Sequence, residues 1–279
     1  MTDTLTSVRN ALGSLRNSEK KVAKCIMEDP QAVVSLSITE LAERAGTSEP
    51  TVIRFCRKLG LNGYMELRLN LARDIPSVQQ FFENVSEKDT LAQIVGKILS
   101  AHREALNNTL NRVDLEVLEA SVKVLGSARR VEFYGLGGSA IVAKDAHHKF
   151  FRLGISCIAY DDPHMQVMSA ALLTPEDVAV AISHTGSTKD IIESVKVARK
   201  AGATVIGILG QEKCPLSKFC DIPISVYSQE AALRLAPMTS RLAQMAIIDV
   251  LFVSVAMKGF EDTGNRLDKV KRALVDKRF

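Results

Sequence analysis

The spacing of apolar residues changes once along the chain, near residue 130. Before that point apolar side chains recur every three to four positions, as at Val8, Leu12 and Leu15. This spacing predicts amphipathic helices joined by short turns. Pro30 is expected to end one of these helices, because proline disrupts a helix interior. The N-terminal region is therefore predicted to be all-helical.

From residue 130 onward, short apolar runs rich in β-branched residues alternate with helical stretches. The runs occupy 131–135, 155–160, 177–183, 204–209 and 222–226. Strands that alternate with helices predict an α/β domain with a doubly wound parallel sheet and helices on both faces. Further helices are expected at about 90–112 and 114–126, before the first strand, and from Met238 to about Lys258, ahead of a basic tail.

A segment with a proline and mixed polar residues separates the two regions. It runs from Asp74 to Asp89 and contains Phe81 and Phe82, which we expect to order part of it. We interpret residues 76–90 as a linker. The predicted domains are an all-helical domain at 1–75 and an α/β domain at 91–279.

The helical region contains the pattern of a helix-turn-helix. Ser37 and Glu40 have the spacing of a capping box, and the short helix behind them ends at Gly46. A second helix starts within 47–50, where Ser or Thr can cap and Pro is tolerated, and it closes at Gly60. Six apolar residues are expected to face inward: Leu41, Ala42, Ala45, Val52, Ile53 and Leu59.

The second helix is predicted to present six polar residues to DNA. The candidates for contacts to base edges are Ser48, Glu49, Thr51 and Arg54, and the candidates for phosphate contacts are Arg57 and Lys58. A charged helix face that is merely solvated gives the same pattern, and the tight turn between two helices of suitable length is what favours double-stranded DNA. Basic and acidic residues are nearly balanced in this domain, so binding is expected to use two domains on a palindromic site.

Two glycine- and hydroxyl-rich loops each follow a predicted strand and open a predicted helix. Such loops expose backbone N–H groups at a helix N-terminus, where anions bind, and ligands of open α/β sheets sit at this edge. The predicted ligand-binding residues are Gly137, Gly138, Ser139, Ser183, His184, Thr185, Gly186 and Thr188.

The first loop also fits a different ligand. Gly135, Gly137 and Ala140 satisfy the dinucleotide fingerprint, and Asp161 or Asp162 lies where a ribose-binding acid is expected. The density of hydroxyls in the second loop suits one compact phosphate better than an extended dinucleotide. A further alternative is that both loops are ordinary strand-to-helix turns without a ligand.

Composition adds little to this picture. The chain has 46% hydrophobic and 24% charged residues and a net charge of +4, which is compatible with nucleic acid without indicating it. The N-terminus lacks the pattern of a signal peptide, and the longest apolar stretch, Met245 to Met257, is interrupted by Asp249 and too short to span a bilayer. The five cysteines include no C-x-x-C pair. We expect a cytoplasmic protein with no membrane partner, metal or cofactor.

The C-terminal part, roughly 125–260, resembles the sugar isomerase (SIS) domain. The likeness is carried by GLGGSA at 135–140, AISHTGSTKDIIESVKVARKAGATVIGIL at 181–209 and SRLAQMAIIDVLF at 240–252. With TSEPTVIRFCRKLGLNGYMELR at 47–68, nearly the whole chain is similar to RpiR-type transcriptional regulators, and most closely to HexR-like repressors of hexose catabolism.

The resemblance implies a role for each loop residue. In SIS domains the two loops hold a sugar phosphate, which assigns Ser139, Ser183, Thr185 and Thr188 to phosphate or sugar oxygens. The second loop more usually reads S-x-S-G-x-T, and here Thr185 replaces the second Ser while keeping a hydroxyl. His184 stands at the variable position, so either its side chain or only its backbone would meet the ligand. The resemblance also implies 2-keto-3-deoxy-6-phosphogluconate as effector and repression. The pairing of two domains on a palindromic site leads us to expect a homodimer or higher homo-oligomer.

A sugar-phosphate isomerase is the main alternative function. Isomerisation needs a positioned base, and the candidates near the predicted pocket are Glu230, His164 and His184. None lies in a sequence context that marks a base, and a fold suited to sugar phosphates does not establish turnover. We therefore expect a sensor rather than an enzyme, with a dinucleotide-binding protein as the remaining alternative.

Overall fold

The structure is a computed structural model that describes residues 4–74, 85–86, 88–228 and 237–273. The chain divides into two compact units, the first consisting chiefly of residues up to Ala101 and the second chiefly of residues from His102 onward. Most of the predicted linker, including Phe81 and Phe82, lies outside the described residues.

The first unit contains a group of short helices around one apolar core. They are α1 (Thr4–Ala11), α2 (Asn17–Glu28), α3 (Pro30–Ser35), α4 (Ile38–Arg44), α5 (Glu49–Lys58) and α6 (Tyr64–Asp74). Leu41, Val52, Phe55 and Leu67 are completely buried in this core. The all-helical prediction for this region is confirmed.

Pro30 both ends one helix and begins another. It stands in the first turn of α3, where its missing N–H costs no hydrogen bond, and the Asp29 carboxylate accepts the Ala32 N–H at 3.0 Å. The apolar spacing alone did not predict α3, because six residues are too few to show a helical period.

The second unit is built on a five-stranded parallel sheet. The strands are β1 (Arg130–Tyr134), β2 (Cys157–Tyr160), β3 (Asp177–Ser183), β4 (Thr204–Leu209) and β5 (Ile222–Ser225), in the order β2-β1-β3-β4-β5. The accompanying helices are α7 (Leu91–Arg112), α8 (Leu115–Ser127), α9 (Gly138–Phe150), α10 (Pro163–Ala170), α11 (Lys189–Lys200), α12 (Thr239–Lys258) and α13 (Phe260–Ala273). α7 begins in the first unit and ends in the second. The predicted α/β class is confirmed.

The two faces of the sheet differ in chemistry. On one face Val131, Phe133 and Val180 pack with apolar residues of α8, α9 and α12. On the other face β1 presents Glu132 and Tyr134, both completely buried, and the Tyr134 hydroxyl donates to the Glu132 carboxylate at 2.5 Å. This face of the sheet, which lies towards α10, therefore contains buried hydrogen-bonded side chains as well as apolar ones.

α12 has the extent predicted for the last long helix, Met238 to about Lys258. By length and composition alone its 20 residues are enough to cross a membrane, although the apolar stretch Met245–Met257 within it is shorter. Ile247, Ile248, Leu251 and Val255 are buried in the core of the second unit, which identifies α12 as a core helix. After Gly259 the chain continues in α13, which the sequence pattern described only as a basic tail.

Asp177, the first residue of β3, is held by several hydrogen bonds. It is completely buried, and its carboxylate accepts hydrogen bonds from Arg129 Nε at 3.0 Å and Nη2 at 2.7 Å and from the Thr174 N–H at 2.7 Å. Burial works to raise its pKa, but the Arg129 and Thr174 hydrogen bonds lower it below the ordinary value of 3.8.

We predict that Asp177→Asn destabilises the protein at neutral pH by about 2 kcal/mol, the size of a hydrogen bond to a charged group. Since the folded pKa is depressed, the contribution is present above pH 3.8 and is lost as the pH falls through the folded value. Urea denaturation at a series of pH values should show wild type and variant converging in acid. A stability difference that is constant with pH would contradict this role.

Candidate functional sites

The capping box at the start of α4 is formed as predicted. The Glu40 N–H donates to Ser37 Oγ at 3.1 Å, and the Ser37 N–H donates to Glu40 Oε2 at 2.7 Å. These two bonds satisfy backbone groups that the first turn of a helix leaves open. α4 therefore begins at a fixed residue.

The turn between α4 and α5 depends on Gly46. Its φ of +58° is a left-handed conformation that L side chains rarely adopt, and its N–H donates to the Glu43 carbonyl at 3.0 Å. α5 then starts after Ser48 in extended conformation, with Pro50 in the first turn. The Thr39 hydroxyl donates to Glu49 Oε1 at 2.8 Å and so joins the two helices.

The outward face of α5 differs from the prediction at one residue. Four of the six predicted residues are exposed: Ser48, Arg54, Arg57 and Lys58. Glu49 is half-buried. Thr51, which we predicted to be exposed, is only 3% exposed. The prediction for Thr51 is wrong because its side chain turns inward, where its Oγ1 accepts a hydrogen bond from Arg54 Nη2 at 2.8 Å.

Lys58 has a structural partner that the sequence did not reveal. Its Nζ donates to Glu19 Oε2 at 2.8 Å and to the Ser14 carbonyl at 3.1 Å. Glu19 is 1% exposed, and the hydrogen bonds from Lys58 and from the Arg16 N–H hold the pKa of Glu19 below its ordinary value. Lys58 thus ties α5 to α2, whereas Arg57 is an exposed cation.

The two glycine- and hydroxyl-rich loops leave neighbouring strands. β1 pairs with both β2 and β3, with Tyr134 opposite Ala181. The chain passes from β1 to β2 on one side and returns to β3 on the other, so the strand order reverses between β1 and β3. Ligands of open α/β sheets bind at the carboxyl ends of strands at such a point.

The first loop makes a tight corner between β1 and α9. A methyl group added at Gly135 would lie 2.5 Å from the Ser139 carbonyl oxygen, so only glycine fits there. Gly137 has a φ of +57° and precedes the first residue of α9, Gly138. Ser139 is half-buried in the first turn of that helix.

The second loop folds around Ser183 and Gly186. Ser183 is 4% exposed, its Oγ accepts the Gly186 N–H at 3.1 Å, and Gly186 has a φ of +58°. Thr185 Oγ1 accepts the Ser187 N–H at 3.3 Å. Thr188 is the N-terminal cap residue of α11, but its side chain makes no capping hydrogen bond.

The predicted ligand-binding residues therefore surround one edge of the sheet at the starts of α9 and α11. Among the described residues, the hydroxyls of Ser139 and Thr188 have no hydrogen-bond partner. Each helix N-terminus contributes a partial positive charge. At the start of α9 the Ser139 and Ala140 N–H groups already donate to the Leu136 and Gly137 carbonyls, each at 3.2 Å. The hydroxyls together with the two helix ends are therefore what suits a phosphate.

The candidate ribose-binding acids and the candidate catalytic bases do not form a second site in the described residues. Asp161 follows β2 and pairs with Lys144 at 2.5 Å, and Asp162 accepts the Met165 N–H at 2.8 Å as the cap of α10. His164 is exposed on α10, and His184 is half-buried in the second loop. Glu230 lies outside the described residues.

Gln166 in α10 is a residue of this region that the sequence does not single out. This residue is completely buried, and its Nε2 donates to the Gly135 carbonyl at 3.3 Å and to the Tyr160 carbonyl at 2.8 Å. No sequence pattern distinguishes it, because a glutamine in a short helix is ordinarily exposed. Through the bond to Gly135, its side chain touches the first loop.

Comparison with known proteins covers both parts of the chain. Residues 2–77 match the helix-turn-helix domain of the rpiR family, and residues 125–254 match the SIS domain. An HTH-type transcriptional regulator of Caldanaerobacter subterraneus subsp. tengcongensis is 38% identical over 98% of this chain and 98% of its own. The HTH-type transcriptional regulator HexR of Pseudomonas aeruginosa is 36% identical over 100% of this chain and 98% of its own.

A solved structure resembles the whole chain. The Vibrio vulnificus NanR protein complexed with ManNAc-6P aligns with a TM-score of 0.88 and 25% identity, and the alignment covers 99% of each chain. The likeness therefore includes both the helical region and the α/β region.

We predict that Gly135→Ala destabilises the protein by about 1–3 kcal/mol, the usual cost of overpacking, because the new methyl would overlap the Ser139 carbonyl. The matched control is Gly126→Ala in α8, where no atom beyond the adjacent residues and the backbone of the same helix lies within 4 Å of the added methyl. Thermal and urea denaturation should place the control at or above wild type. Equal stability of the two variants would refute the tight corner.

Proposed function

Because the chain belongs to the RpiR family of transcriptional regulators, with a helix-turn-helix domain and a sugar-phosphate-binding SIS domain, we propose that it represses genes of sugar catabolism. We further propose 2-keto-3-deoxy-6-phosphogluconate as the effector that releases it from DNA. The carrying observation is that the two loops leave adjacent strands, with open hydroxyls at Ser139 and Thr188.

The proposed pocket recognises the phosphate group first. Gly137 and Gly138 let the backbone approach the anion, and Ser139 and Thr188 donate hydroxyls from the starts of α9 and α11. Ser183, Thr185 and Gly186 shape the second loop, and His184 flanks it. The ManNAc-6P bound to NanR is also a sugar phosphate, which supports this class of ligand.

The proposed DNA contact uses α5. Ser48, Glu49 and Arg54 face base edges, and Arg57 contacts phosphate. Lys58 contributes mainly by holding α5 on α2, and Thr51 contributes by holding Arg54. A single domain with nearly balanced charge binds weakly, so we propose a homodimer on half-sites about 34 Å apart.

The effector acts by differential binding to two arrangements of the dimer. Occupation of the pocket favours the arrangement with lower DNA affinity, and coupling of this kind is typically about 1–3 kcal/mol. We propose that the protein acts in the cytoplasm and carries out no reaction on the effector. The relatives named as transcriptional regulators support the absence of turnover.

The test combines binding and turnover. Purified protein is mixed with a panel of sugar phosphates and phosphosugar acids, and thermal unfolding identifies binders, since a ligand stabilises the folded state by mass action. Binders are then added to a protein–operator complex followed by fluorescence anisotropy. Stabilisation without DNA release would contradict the effector role, and formation of an isomerised product would contradict the sensor.

We predict that Arg57→Ala weakens binding to all DNA sequences similarly and lowers the salt slope of log K by about 1, as expected for one lost phosphate contact. Arg54→Ala should instead reduce the preference for operator over random DNA, with a loss of about 1–3 kcal/mol at the operator. Salt titrations on both DNAs measure the two effects. Sugar-phosphate binding serves as the control and should be unchanged.

We predict that Ser139→Ala and Thr188→Ala each leave operator binding intact and raise the effector concentration needed for release by about fivefold, the effect of one lost hydrogen bond. The control is Ser127→Ala at the end of α8, whose hydroxyl donates within its own helix to the Lys123 carbonyl. Release titrations should separate the variants from this control. A normal effector response in both loop variants would reject the pocket.

A further inference from the structure

Gln166 joins three parts of the second unit. Its Nε2 donates to the Gly135 carbonyl in the first loop and to the Tyr160 carbonyl at the end of β2, at 3.3 and 2.8 Å. Two carbonyl acceptors require the amide NH2 on that side, which fixes how the side chain is turned. The residue is completely buried, so water does not compete for these bonds.

The other end of the amide faces α11, the helix that follows the second loop. The single proton of the Ser194 hydroxyl is shared between two acceptors, the Asp190 carbonyl at 2.9 Å and Gln166 Oε1 at 3.4 Å. Ser194 is completely buried as well. One side chain therefore connects the backbone of the first loop with the helix that the second loop begins.

We propose that Gln166 is a positioning residue that sets the first loop for phosphate binding; this inference rests on the proposed sugar-phosphate site. A peptide group is planar and trans, so the Gly135 carbonyl held towards Gln166 turns the Leu136 N–H to the opposite side. The close packing of Gly135 against the Ser139 carbonyl leaves the corner little freedom to compensate. Gln166 acts through this backbone and does not touch the ligand.

Ser169 supplies a matched comparison on the same helix. It lies one turn further along α10, is 7% exposed, and donates to Glu132 Oε1 at 2.6 Å. Glu132 belongs to β1 and also accepts a hydrogen bond from the Tyr134 hydroxyl on the same strand. Ser169→Ala thus removes a contact between α10 and the sheet and leaves both partners of the hydrogen bond between Gln166 and Gly135 in place.

The first measurement is affinity. Full-length wild type, Gln166→Met, Ser194→Ala and Ser169→Ala are titrated with 2-keto-3-deoxy-6-phosphogluconate and with inorganic phosphate. Gln166→Met keeps the volume and removes the hydrogen bonds, and we expect Kd for both probes to rise about fivefold. Ser194→Ala should raise Kd in the same direction by a smaller factor, and Ser169→Ala should keep the wild-type Kd despite a lower Tm.

The second measurement observes the loop without ligand. The sequence contains a single Tyr–Gly pair, Tyr134–Gly135, and a single Gly–Gly pair, Gly137–Gly138. Protein is made with tyrosine labelled with ¹³C at the carbonyl and with glycine labelled with ¹³C at the carbonyl and ¹⁵N at the amide. An NMR spectrum that correlates each carbonyl with the following amide then contains one peak from each pair. Both peaks should shift in Gln166→Met, whereas the Gly137–Gly138 peak should remain in place in Ser169→Ala.

The outcomes separate this inference from the proposed function. If wild type binds neither probe, the proposed ligand site fails, and the two cross-peaks alone decide whether Gln166 sets the loop. Unchanged affinity together with unmoved peaks in Gln166→Met overturns the inference, as does an equal loss of affinity in Ser169→Ala. Should Gln166→Met not fold, Ser194→Ala decides by the same two measurements.

Discussion

The parallel pairing of β1 with β3 is the constraint on which the α/β unit depends. Paired parallel strands lie about 4.8 Å apart and end at the same edge, so the loops that follow them are brought together whatever their own sequences are. Each loop then needs glycine at a corner, at Gly135 and Gly186, because the chain must turn sharply into a helix. The chemistry of the edge follows from the hydroxyls placed around those corners.

The helical unit solves a different problem, since α5 must present a polar face while remaining fixed. Its apolar side packs in the core, and its two ends are held by polar contacts: Thr39 to Glu49 at the start and Lys58 to Glu19 at the end. Part of the charge that looks available for DNA is therefore committed to holding the helix. The face of α5 that remains for the proposed DNA contact therefore has fewer unpaired charges than the sequence suggests.

Elements with a strong local signature could be predicted from the sequence. Three kinds of element were recognisable because each depends on residues close in sequence. They are the capping box at Ser37 and Glu40, the strands with their runs of β-branched residues, and the two loops. The inward turn of Thr51, the Lys58–Glu19 pair and the role of Gln166 depend on contacts between distant residues. Such contacts exist only after the helices have packed, and neither spacing nor composition encodes them.

The hydrogen bond from Arg54 to Thr51 has a consequence for recognition that concerns entropy rather than charge. A free arginine loses rotamer freedom when it docks, and this loss subtracts from the affinity it provides. Arg54 is braced by its own helix before any contact is made. Part of this ordering has thus taken place during folding, so in the proposed DNA complex the guanidinium would reach a base edge already aligned.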